Sequence, residues 1–473
     1  MLDQKNIILM ALISVSSSAM AEPTLTDWII YGCSYINVGQ TGIAHGYYWT
    51  EVRNPQMRAL LSKGWKIENN CVNRPWDEHG WFPALFSIPV SQSSMPQKQI
   101  GTPSTQLSCP SSLKGNPINF AIGNKTQNEQ DLRLAELSLT RTYNSYDGAW
   151  SHSYSTRLWI TGAQITLIHA SGRQSFFTNY DNRIKSEPDE FGILKATTEG
   201  FSYSSSDGET YFFDQQGRLT KTTHPQKETQ TLSYIGSMIQ VSDESGHTLS
   251  FEENTAHQLL SATDGAHQIS YSYNGNRLTA VTQHHGDVMQ QRLYHYENSS
   301  NPNLLTGITD ERGIRYATWT YDDQGRAISS EHAGGAERTL VSYNADGSST
   351  ITNALGKRTT YRFQTIQGVR RITAIEGEPS TNCPNSNSTF TYDDRGLVKT
   401  RTDNKGNITT FDYNERGLEV SRTEAFGTPQ ARTVTTEWHP TLFLPVIITE
   451  PDRTTSYSYD VQGRMIGQAT TQR

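Results

Sequence analysis

Two short clusters of histidine and acidic residues are the best candidates for a chemical role in this 473-residue chain. In the first, His284, His285 and Asp287 lie close enough in sequence to hold a metal ion. Adjacent histidines in a polar turn more often bind nothing, and the chain has no Cys/His spacing of a zinc site. His152, in "WSHSY", is interpreted as structural. We therefore predict no metal site.

The second cluster is "WDEHGW", in which Asp77, Glu78 and His79 lie between Trp76 and Trp81. Carboxylates flanked by aromatic rings could form a sugar platform or an acid/base pair. Neighbouring carboxylates on a strand point to opposite sides, however, so they suit glycoside hydrolysis poorly. A packed loop is the alternative interpretation of this stretch.

Recognisable enzyme motifs are not found elsewhere in the sequence. There is no Gly-x-Ser-x-Gly, His-Glu-x-x-His, phosphate-binding loop or dinucleotide fingerprint. We therefore predict a protein that is not an enzyme and that uses no cofactor.

Composition favours an extensive β protein with a thin core. Net charge is −7 and pI is about 6.0, which argues against a nucleic-acid partner. Charged residues make up 18%, while Tyr (23) and Gly (36) are abundant. Tyr favours strands and Gly favours turns, so we predict an all-β fold.

The first residues have the features of a signal peptide. Lys5 precedes the apolar stretch "NIILMALISV", and small residues at Ala19 and Ala21 fit cleavage between Ala21 and Glu22. The stretch is shorter than the roughly 20 apolar residues that a membrane span needs. We predict export to the periplasm, cell surface or medium, with no membrane span in the mature chain. A buried N-terminal helix is the alternative.

Four cysteines would meet an oxidising compartment if the chain is exported. They are Cys33, Cys71, Cys109 and Cys383, and three pairings are possible. We favour a disulfide between Cys33 and Cys71, because both lie in one short N-terminal region.

Pattern changes along the chain predict five parts. A signal peptide (1–21) precedes a small unit of unknown role (22–95), then a Ser/Pro-rich linker (96–117), a β-rich head (118–200) and a repeat region (201–473). Within the small unit, "NPQMRALLSK" predicts a helix. Within the head, "LRLAELSLTRTY" alternates with period two and has a one-residue shift that predicts a bulge.

The repeat region is defined by aromatic residues that recur 17 to 29 residues apart, with a spacing near 22. This is the period of a repeat architecture and not of a helix. The twelve anchors are Phe213, Tyr234, Phe251, Tyr273, Tyr296, Tyr321, Tyr343, Phe363, Tyr392, Tyr413, Trp438 and Tyr459.

Each unit contains two turn signals in which Asp or Asn is followed by Gly, as in "YDDQGRA" and "TDNKGN". The Asx side chain can bind nearby amides, and Gly accepts positive φ. Each unit is therefore predicted to be a β-hairpin whose aromatic stacks on the ring of the next unit. Calcium binding by these acids is the weaker alternative, because a calcium loop contains several acidic or Asn ligands and most of these turns offer only one or two. The predicted anchor and turn residues are Tyr273, Tyr321, Asp322, Gly325, Tyr392, Asp393, Gly396, Tyr413, Gly417, Tyr459, Asp460 and Gly463.

These repeats, and the segments before them, resemble the Rhs (rearrangement hotspot) family with YD repeats. "GNPINFAIGNKTQNEQDL" (115–132) followed by "RTYNSYDGAWSHSY" (141–154) is similar to the domain that precedes the repeats in that family. The resemblance covers about three quarters of the chain. It implies a long antiparallel ribbon that coils into a hollow shell, and a C-terminal toxin enclosed by that shell.

The end of the sequence departs from the family pattern. "QATTQR" follows the last repeat directly, and no Asp-Pro-x-Gly motif or toxin domain is found. Toxin activity, self-cleavage and full closure of the shell are therefore not expected of this chain. A fragment, a truncated product and a shell piece that works with another polypeptide all stay open.

Taken together, the sequence predicts a non-enzymatic secreted scaffold, part of a shell, whose partner is a toxin cargo or a further Rhs polypeptide. The alternative is a module that binds carbohydrate or the cell envelope through exposed repeat aromatics. An enzyme in the N-terminal unit is a third possibility. Aromatics that point inward would favour the scaffold, whereas a solvent-facing row of them would favour binding.

Overall fold

The computed structural model describes eight segments of the chain; the first three, and His285, are described by backbone alone. The segments are 31–37, 44–47, 81–84, 95–101, 110–180, 183–286, 288–377 and 387–473. These residues form strands and turns, with 3₁₀ turns at Pro96–Lys98 and Ala333–Gly335. Nowhere in these segments is there a helix of the length and apolarity needed to cross a membrane.

The chain divides into two compact units, Met1–Met95 and Pro96–Arg473. In the described part of the first, β1 (Tyr31–Asn37) lies between β2 (Ala44–Tyr47) and β3 (Trp81–Ala84) in an antiparallel sheet. The helix predicted after Asn54 falls outside the described residues.

The second unit begins with two small sheets, which we call the head. One has five strands in sequence order: β4 (Leu113–Lys114), β5 (Ile118–Asn119), β6 (Asn124–Leu134), β7 (Leu137–Asn144) and β8 (Ala149–His152). The other has four: β9 (Arg157–Thr161), β10 (Gln164–Ile168), β11 (Gln174–Tyr180) and β12 (Arg183–Ser186).

The bulge predicted between Leu134 and Leu137 is wrong, and the register shift of this strand pair lies earlier, between Gln130 and Leu132. The one-residue shift is instead a two-residue hairpin turn, in which Leu134 pairs with Leu137. Ala135 takes a positive φ of 51°, which fits the primed turns that suit tight hairpins. A bulge and a tight hairpin shift the period-two pattern alike, so the pattern alone could not separate them.

The rest of the second unit is one antiparallel sheet of 26 strands in sequence order, which we call the ribbon. Its first half comprises β13 (Ile193–Ala196), β14 (Gly200–Ser204), β15 (Thr210–Asp214), β16 (Leu219–His224), β17 (Lys227–Ile235), β18 (Met238–Ser242), β19 (Thr248–Glu253), β20 (Leu259–Thr263), β21 (Gln268–Asn274), β22 (Arg277–His285), β23 (Val288–His295), β24 (Gly307–Thr309) and β25 (Arg315–Tyr321). Its second half comprises β26 (Ala327–His332), β27 (Ala336–Tyr343), β28 (Ser349–Thr352), β29 (Arg358–Ile366), β30 (Val369–Gly377), β31 (Ser388–Tyr392), β32 (Val398–Thr402), β33 (Ile408–Tyr413), β34 (Glu419–Glu424), β35 (Arg432–Trp438), β36 (Pro445–Thr449), β37 (Arg453–Tyr459) and β38 (Met465–Gln472). The all-β fold and the hairpin ribbon are confirmed.

The core lies on one face of the ribbon, against the head. Alternate residues point inward, as in β21, where Ile269 and Tyr271 are buried while Gln268 is exposed. One apolar cluster joins head residues such as Leu137 to Trp319 of the ribbon, and a second joins Phe120 to later strands. The head therefore supplies the apolar surface that covers the inner face of the ribbon.

Candidate functional site: the seam between head and ribbon

The repeat turns share one hydrogen-bond pattern, seen clearly at Asp322. One carboxylate oxygen of Asp322 accepts the backbone N–H groups of Gln324 (3.0 Å) and Arg326 (2.9 Å). Gly325 has φ 76°, a conformation open to glycine at little cost. The same pair of side-chain bonds forms at Asp214, Asn254, Asp310, Asn353, Asp393, Asp403, Asn414 and Asp460. Each of these side chains therefore stabilises the turn in which it lies.

Six of the repeat aromatics are tied to the preceding unit by a side-chain hydrogen bond. Tyr343 donates its hydroxyl to the carbonyl of Ala327 (2.7 Å), the second residue after the glycine of the preceding turn. Equivalent bonds join Tyr234 to Leu219, Tyr321 to Leu305, Tyr392 to Ile372, Trp438 to Glu419 and Tyr459 to Pro445. This link was not predicted from the sequence; the preference for Tyr over Phe at these positions was the available signal.

An arginine of the preceding turn lies over the same ring. The Arg326 guanidinium is 4.1 Å from the ring centroid of Tyr343 and donates from Nε to Asp322 (2.8 Å). Arg218 lies 4.7 Å from the ring of Tyr234 in the same way. From the sequence, the ring of the next unit was predicted to stack here. At these two positions the contact is instead a cation–π pair, which explains the arginine in "GR".

The head joins the ribbon through close backbone contacts, and we call this region of contact between the two the seam. Ala327 N–H donates to the carbonyl of Gly123 (2.9 Å), and Leu158 N–H donates to that of Gly217 (2.8 Å). A methyl group on Gly123 would lie 2.5 Å from Cβ of Arg326, so a larger residue there would clash. The glycines thus permit the two backbones to meet.

A buried ionic cluster forms the centre of this seam. Arg141 of the head pairs with Asp131 (Nε–Oδ2 2.5 Å) and donates to the hydroxyl of Tyr294 (2.8 Å), while Tyr271 donates to Asp131 (2.7 Å). Burial alone would lower the pKa of Arg141, but Asp131 and Tyr294 hold it well above its usual value. Burial, and then the charge of Asp131, raises the pKa of Tyr271. The cluster is therefore a buried Arg141–Asp131 ion pair, and each of its two ions forms a further hydrogen bond with a tyrosine hydroxyl.

Lys125 is a second buried basic side chain in the head. Its ammonium donates to the carbonyl of Thr126 (2.5 Å) and to Gln127 Oε1 (2.8 Å), and it lies 4.1 Å from the ring centroid of Trp319. Burial lowers the pKa of Lys125 well below its usual value, an effect that Glu129 opposes. The amino group of a head residue is thus covered by the ring of a ribbon residue.

His152 lies at a third buried contact across the seam. It is 1% exposed, and its Nε2 lies 2.5 Å from Oε1 of Glu253, at the end of β19. His257 contacts the other oxygen of Glu253 (3.0 Å). Burial by itself would raise the pKa of Glu253, but hydrogen bonds from the two histidines lower it to about 2. Glu253 therefore stays charged and joins the head to the ribbon.

The other residues singled out in the sequence divide between described and undescribed parts. His284 lies in β22 and lines a cleft of about 400 Å³ at the seam, near an Asp264–His267 pair (2.9 Å). The side chains of His285, Asp287 and the "WDEHGW" cluster lie outside the described residues, as do Ala21, Glu22 and the cysteine side chains. Across the side chains that are described, no three His, Cys, Asp or Glu residues are placed to hold a metal ion.

The ribbon contacts the head along much of its length. Glu253 of β19 meets His152 of the five-stranded sheet, and the ring of Tyr361 on β29 packs against Phe120, with 4.3 Å between the ring centroids. Ten strand spacings, or roughly 48 Å of ribbon, separate β19 from β29.

The ribbon also returns to its own beginning. A methyl group on Gly417 would lie 2.3 Å from Cδ1 of Phe191, and one on Gly463 would lie 3.2 Å from Cγ of Pro225. By the order of the elements, 21 strands separate the partners in both contacts. At a strand spacing of ~4.8 Å, this closes a path of roughly 100 Å, or a diameter of roughly 30 Å.

Comparisons with known proteins match successive parts of the second unit. A domain of unknown function, DUF6531, matches residues 115–177; the teneurin YD-shell matches residues 202–342; and the RHS repeat matches residues 392–429. A search of curated proteins gives no match.

Solved structures similar to the chain include two from Tc toxins. TcdB2-TccC3 shares 13% identity over 80% of this chain and 22% of its own, with a TM-score of 0.31. A Photorhabdus luminescens Tc holotoxin pore shares 12% over 73% of this chain and 21% of its own, with a TM-score of 0.30. The chain thus spans about a fifth of the length of these proteins.

The matched segments occur in the order head, shell and repeat, and together they cover about half of the chain. They coincide with the head and with the ribbon whose turns and aromatics are described above. This supports a structural shell role for the ribbon. The chain belongs to the Rhs family of YD-repeat proteins.

Proposed function

We propose that this chain is an exported, non-enzymatic shell scaffold that encloses a polypeptide cargo of the toxin class for delivery to another cell. The observation that carries the proposal is the return of the ribbon to Phe191 and Pro225 after 21 strands. A ribbon that returns to its own beginning has an inside and an outside. Enclosure is the use that such a geometry fits best.

The absence of catalysis in this proposal is supported by how the polar residues are used. His152 and Glu253 bind each other, Asp131 is held by Arg141 and Tyr271, and the turn acids bind their own backbone. Groups that are engaged in this way hold the head, the ribbon and the turns together, and they are poorly placed to attack a substrate.

The alternative, binding of carbohydrate by the repeat aromatics, is not favoured. All twelve anchors are buried or half-buried, and none is exposed. Six of them, including Tyr343, direct their polar atom at a backbone carbonyl of the preceding unit. The anchors therefore do not form a solvent-facing row on which a sugar chain could stack.

Export is part of the proposal and rests on the signal-type sequence before Glu22 and on the even number of cysteines. N-terminal sequencing of the secreted protein should begin at Glu22. Thiol labelling with and without reductant should show Cys33 and Cys71 as a disulfide. A mature chain that starts at Met1, with four free thiols, would contradict export.

The closed path can be tested by photo-crosslinking in the full chain. A benzoylphenylalanine at position 191 should link to the peptide that contains Gly417, whereas one at the exposed Tyr180 should not. A crosslinker at position 191 that reaches no residue between 395 and 417 would refute the returning ribbon and, with it, the shell.

Enclosure is tested separately by protease protection. The full chain is purified from the producing cells and treated with protease, before and after chemical denaturation. We expect a second polypeptide that survives in the native sample and is degraded after denaturation. A cargo that is equally sensitive in both samples would contradict enclosure while leaving the ribbon geometry intact.

A further inference from the structure

Two large aromatic rings stand out on the outer face of the four-stranded head sheet. Trp159, on β9, is 64% exposed, and Tyr180, on β11, is 62% exposed. Neither is a repeat anchor, and the opposite face of the sheet is buried through Leu158, Ile165 and Phe177. Most exposed apolar side chains are scattered singly, so two such rings on one sheet face need an explanation.

The register places both rings on the same face. Trp159 pairs with Thr166, which pairs with Phe176, and Tyr180 lies two pleats beyond Phe176 on β11. Two strand spacings across and four residues along the strand put the rings roughly 16 Å apart. The indole N–H of Trp159 donates to the hydroxyl of Thr161 (2.9 Å), which restrains the ring. The pair spans more than one sugar ring.

The surface between and beside the rings is polar and carries positive charge at one end. Thr161, Gln164 and Thr178 are cross-strand neighbours and offer hydroxyl and amide groups. Arg183 pairs with Tyr180 and Lys185 with Thr178 on β12, and both basic side chains are exposed. Thr161, Gln164 and Thr178 thus form an uncharged polar strip, and two basic side chains lie at its end.

We propose that this face, made of Trp159, Thr161, Gln164, Thr178, Tyr180 and Arg183, binds a polysaccharide that contains uronic acids. The C–H faces of sugar rings stack on Trp159 and Tyr180, as aromatic rings favour. The hydroxyl and amide groups of the strip bind the sugar hydroxyls. The Arg183 guanidinium presents a fork that matches the geometry of a carboxylate, which selects a uronate over a neutral sugar.

The test uses the full chain and a galacturonate trimer, with binding followed by calorimetry and by tryptophan fluorescence. Wild type should bind the trimer, and Trp159→Ala should weaken binding about tenfold, the loss expected for one stacked ring. Arg183→Gln should weaken binding of the galacturonate and leave a neutral trimer unaffected. Tyr146→Ala, an exposed aromatic elsewhere in the head, should change nothing.

Several results would overturn the proposal. Unchanged affinity in Trp159→Ala would remove the platform, and equal affinity for neutral and uronate trimers would remove the role of Arg183. Tighter binding of a sulfated trimer would make the ligand a sulfated polysaccharide. A Trp159 signal that responds only to vesicles of anionic lipid would make this face a membrane contact. Each variant is on the surface, so thermal unfolding should match wild type.

Discussion

Replacing Glu253 by Gln should destabilise the second unit in a way that depends on pH. The carboxylate side chain is 10% exposed, and its pKa is lowered from 4.5 to about 2 by hydrogen bonds from His152 and His257. At ~1.36 kcal/mol per pKa unit, this shift corresponds to about 3 kcal/mol of stability. Gln keeps the shape of the side chain and removes the charge.

The sign of the pH effect follows from the direction of the shift. A carboxylate with a lowered folded pKa stabilises the fold above its unfolded pKa, and the stabilisation is lost as pH falls through the folded pKa. The contribution of Glu253 is therefore complete above about pH 5 and disappears between about pH 4.5 and 2. Arg157, which faces the same carboxylate, stays charged over this range.

The assay is thermal unfolding of the full chain from pH 3 to pH 8, followed by circular dichroism. For a unit of this size, 3 kcal/mol corresponds to a decrease of about 4 °C in Tm. Glu253→Gln should show this decrease at pH 7, and the gap to wild type should narrow below pH 4. Glu252→Gln, the adjacent acid that accepts from Ser261, should stay within about 0.5 kcal/mol of wild type.

Two outcomes would refute the reasoning about Glu253. A gap between variant and wild type that keeps its size from pH 7 to pH 3 would show that the loss is one of packing and not of charge. An absent gap at pH 7 would show that the contact with His152 does not stabilise the seam.

Three further predictions concern the seam and the repeats, each measured by Tm of the full chain. Asp131→Asn leaves the Arg141 guanidinium buried without its carboxylate and should cost about 3–5 kcal/mol; a loss under 1 kcal/mol would mean that the pair is hydrated. Tyr343→Phe removes one hydroxyl bond between neighbouring units and should cost about 1 kcal/mol, and a neutral effect would contradict that link. Gly325→Ala meets strain from positive φ alone, about 1–2 kcal/mol, because nothing lies nearer than 3.9 Å to the new methyl group. Gly417→Ala adds a clash with the start of the ribbon, so it should cost at least about 1 kcal/mol more; equal losses would argue against the closing contact.

Local features of this fold could be predicted from sequence because their causes are local. A turn such as that at Asp322 needs an Asx side chain, a glycine three residues later and alternating strands, all within one short segment. The hairpin ribbon follows from repeating that segment. Even here, "LRLAELSL" was misassigned, because a tight hairpin at Ala135 produces the same shift of pattern as a bulge.

The seam could not be predicted in the same way, because its partners are far apart in sequence. His152 and Glu253 are separated by 101 residues, and Arg141 and Tyr294 by 153. A lone buried His or Arg has no sequence pattern that names its partner. The family resemblance indicated a head before the repeats, but not which side chains of the head meet which strands.

The link between units explains why the repeat tolerates an irregular period. At the six anchors that form this bond, the donor and its acceptor in the preceding unit are 14 to 20 residues apart in sequence, yet the six bonds all measure 2.6–2.8 Å. The residues that vary in number therefore lie in the hairpin between the two ends and not in the contact itself. At eight of the twelve anchors the strand register shifts, so the local bulge can take up a change in length. A ribbon coupled in this way can lengthen one hairpin without losing the curvature that returns it to its beginning.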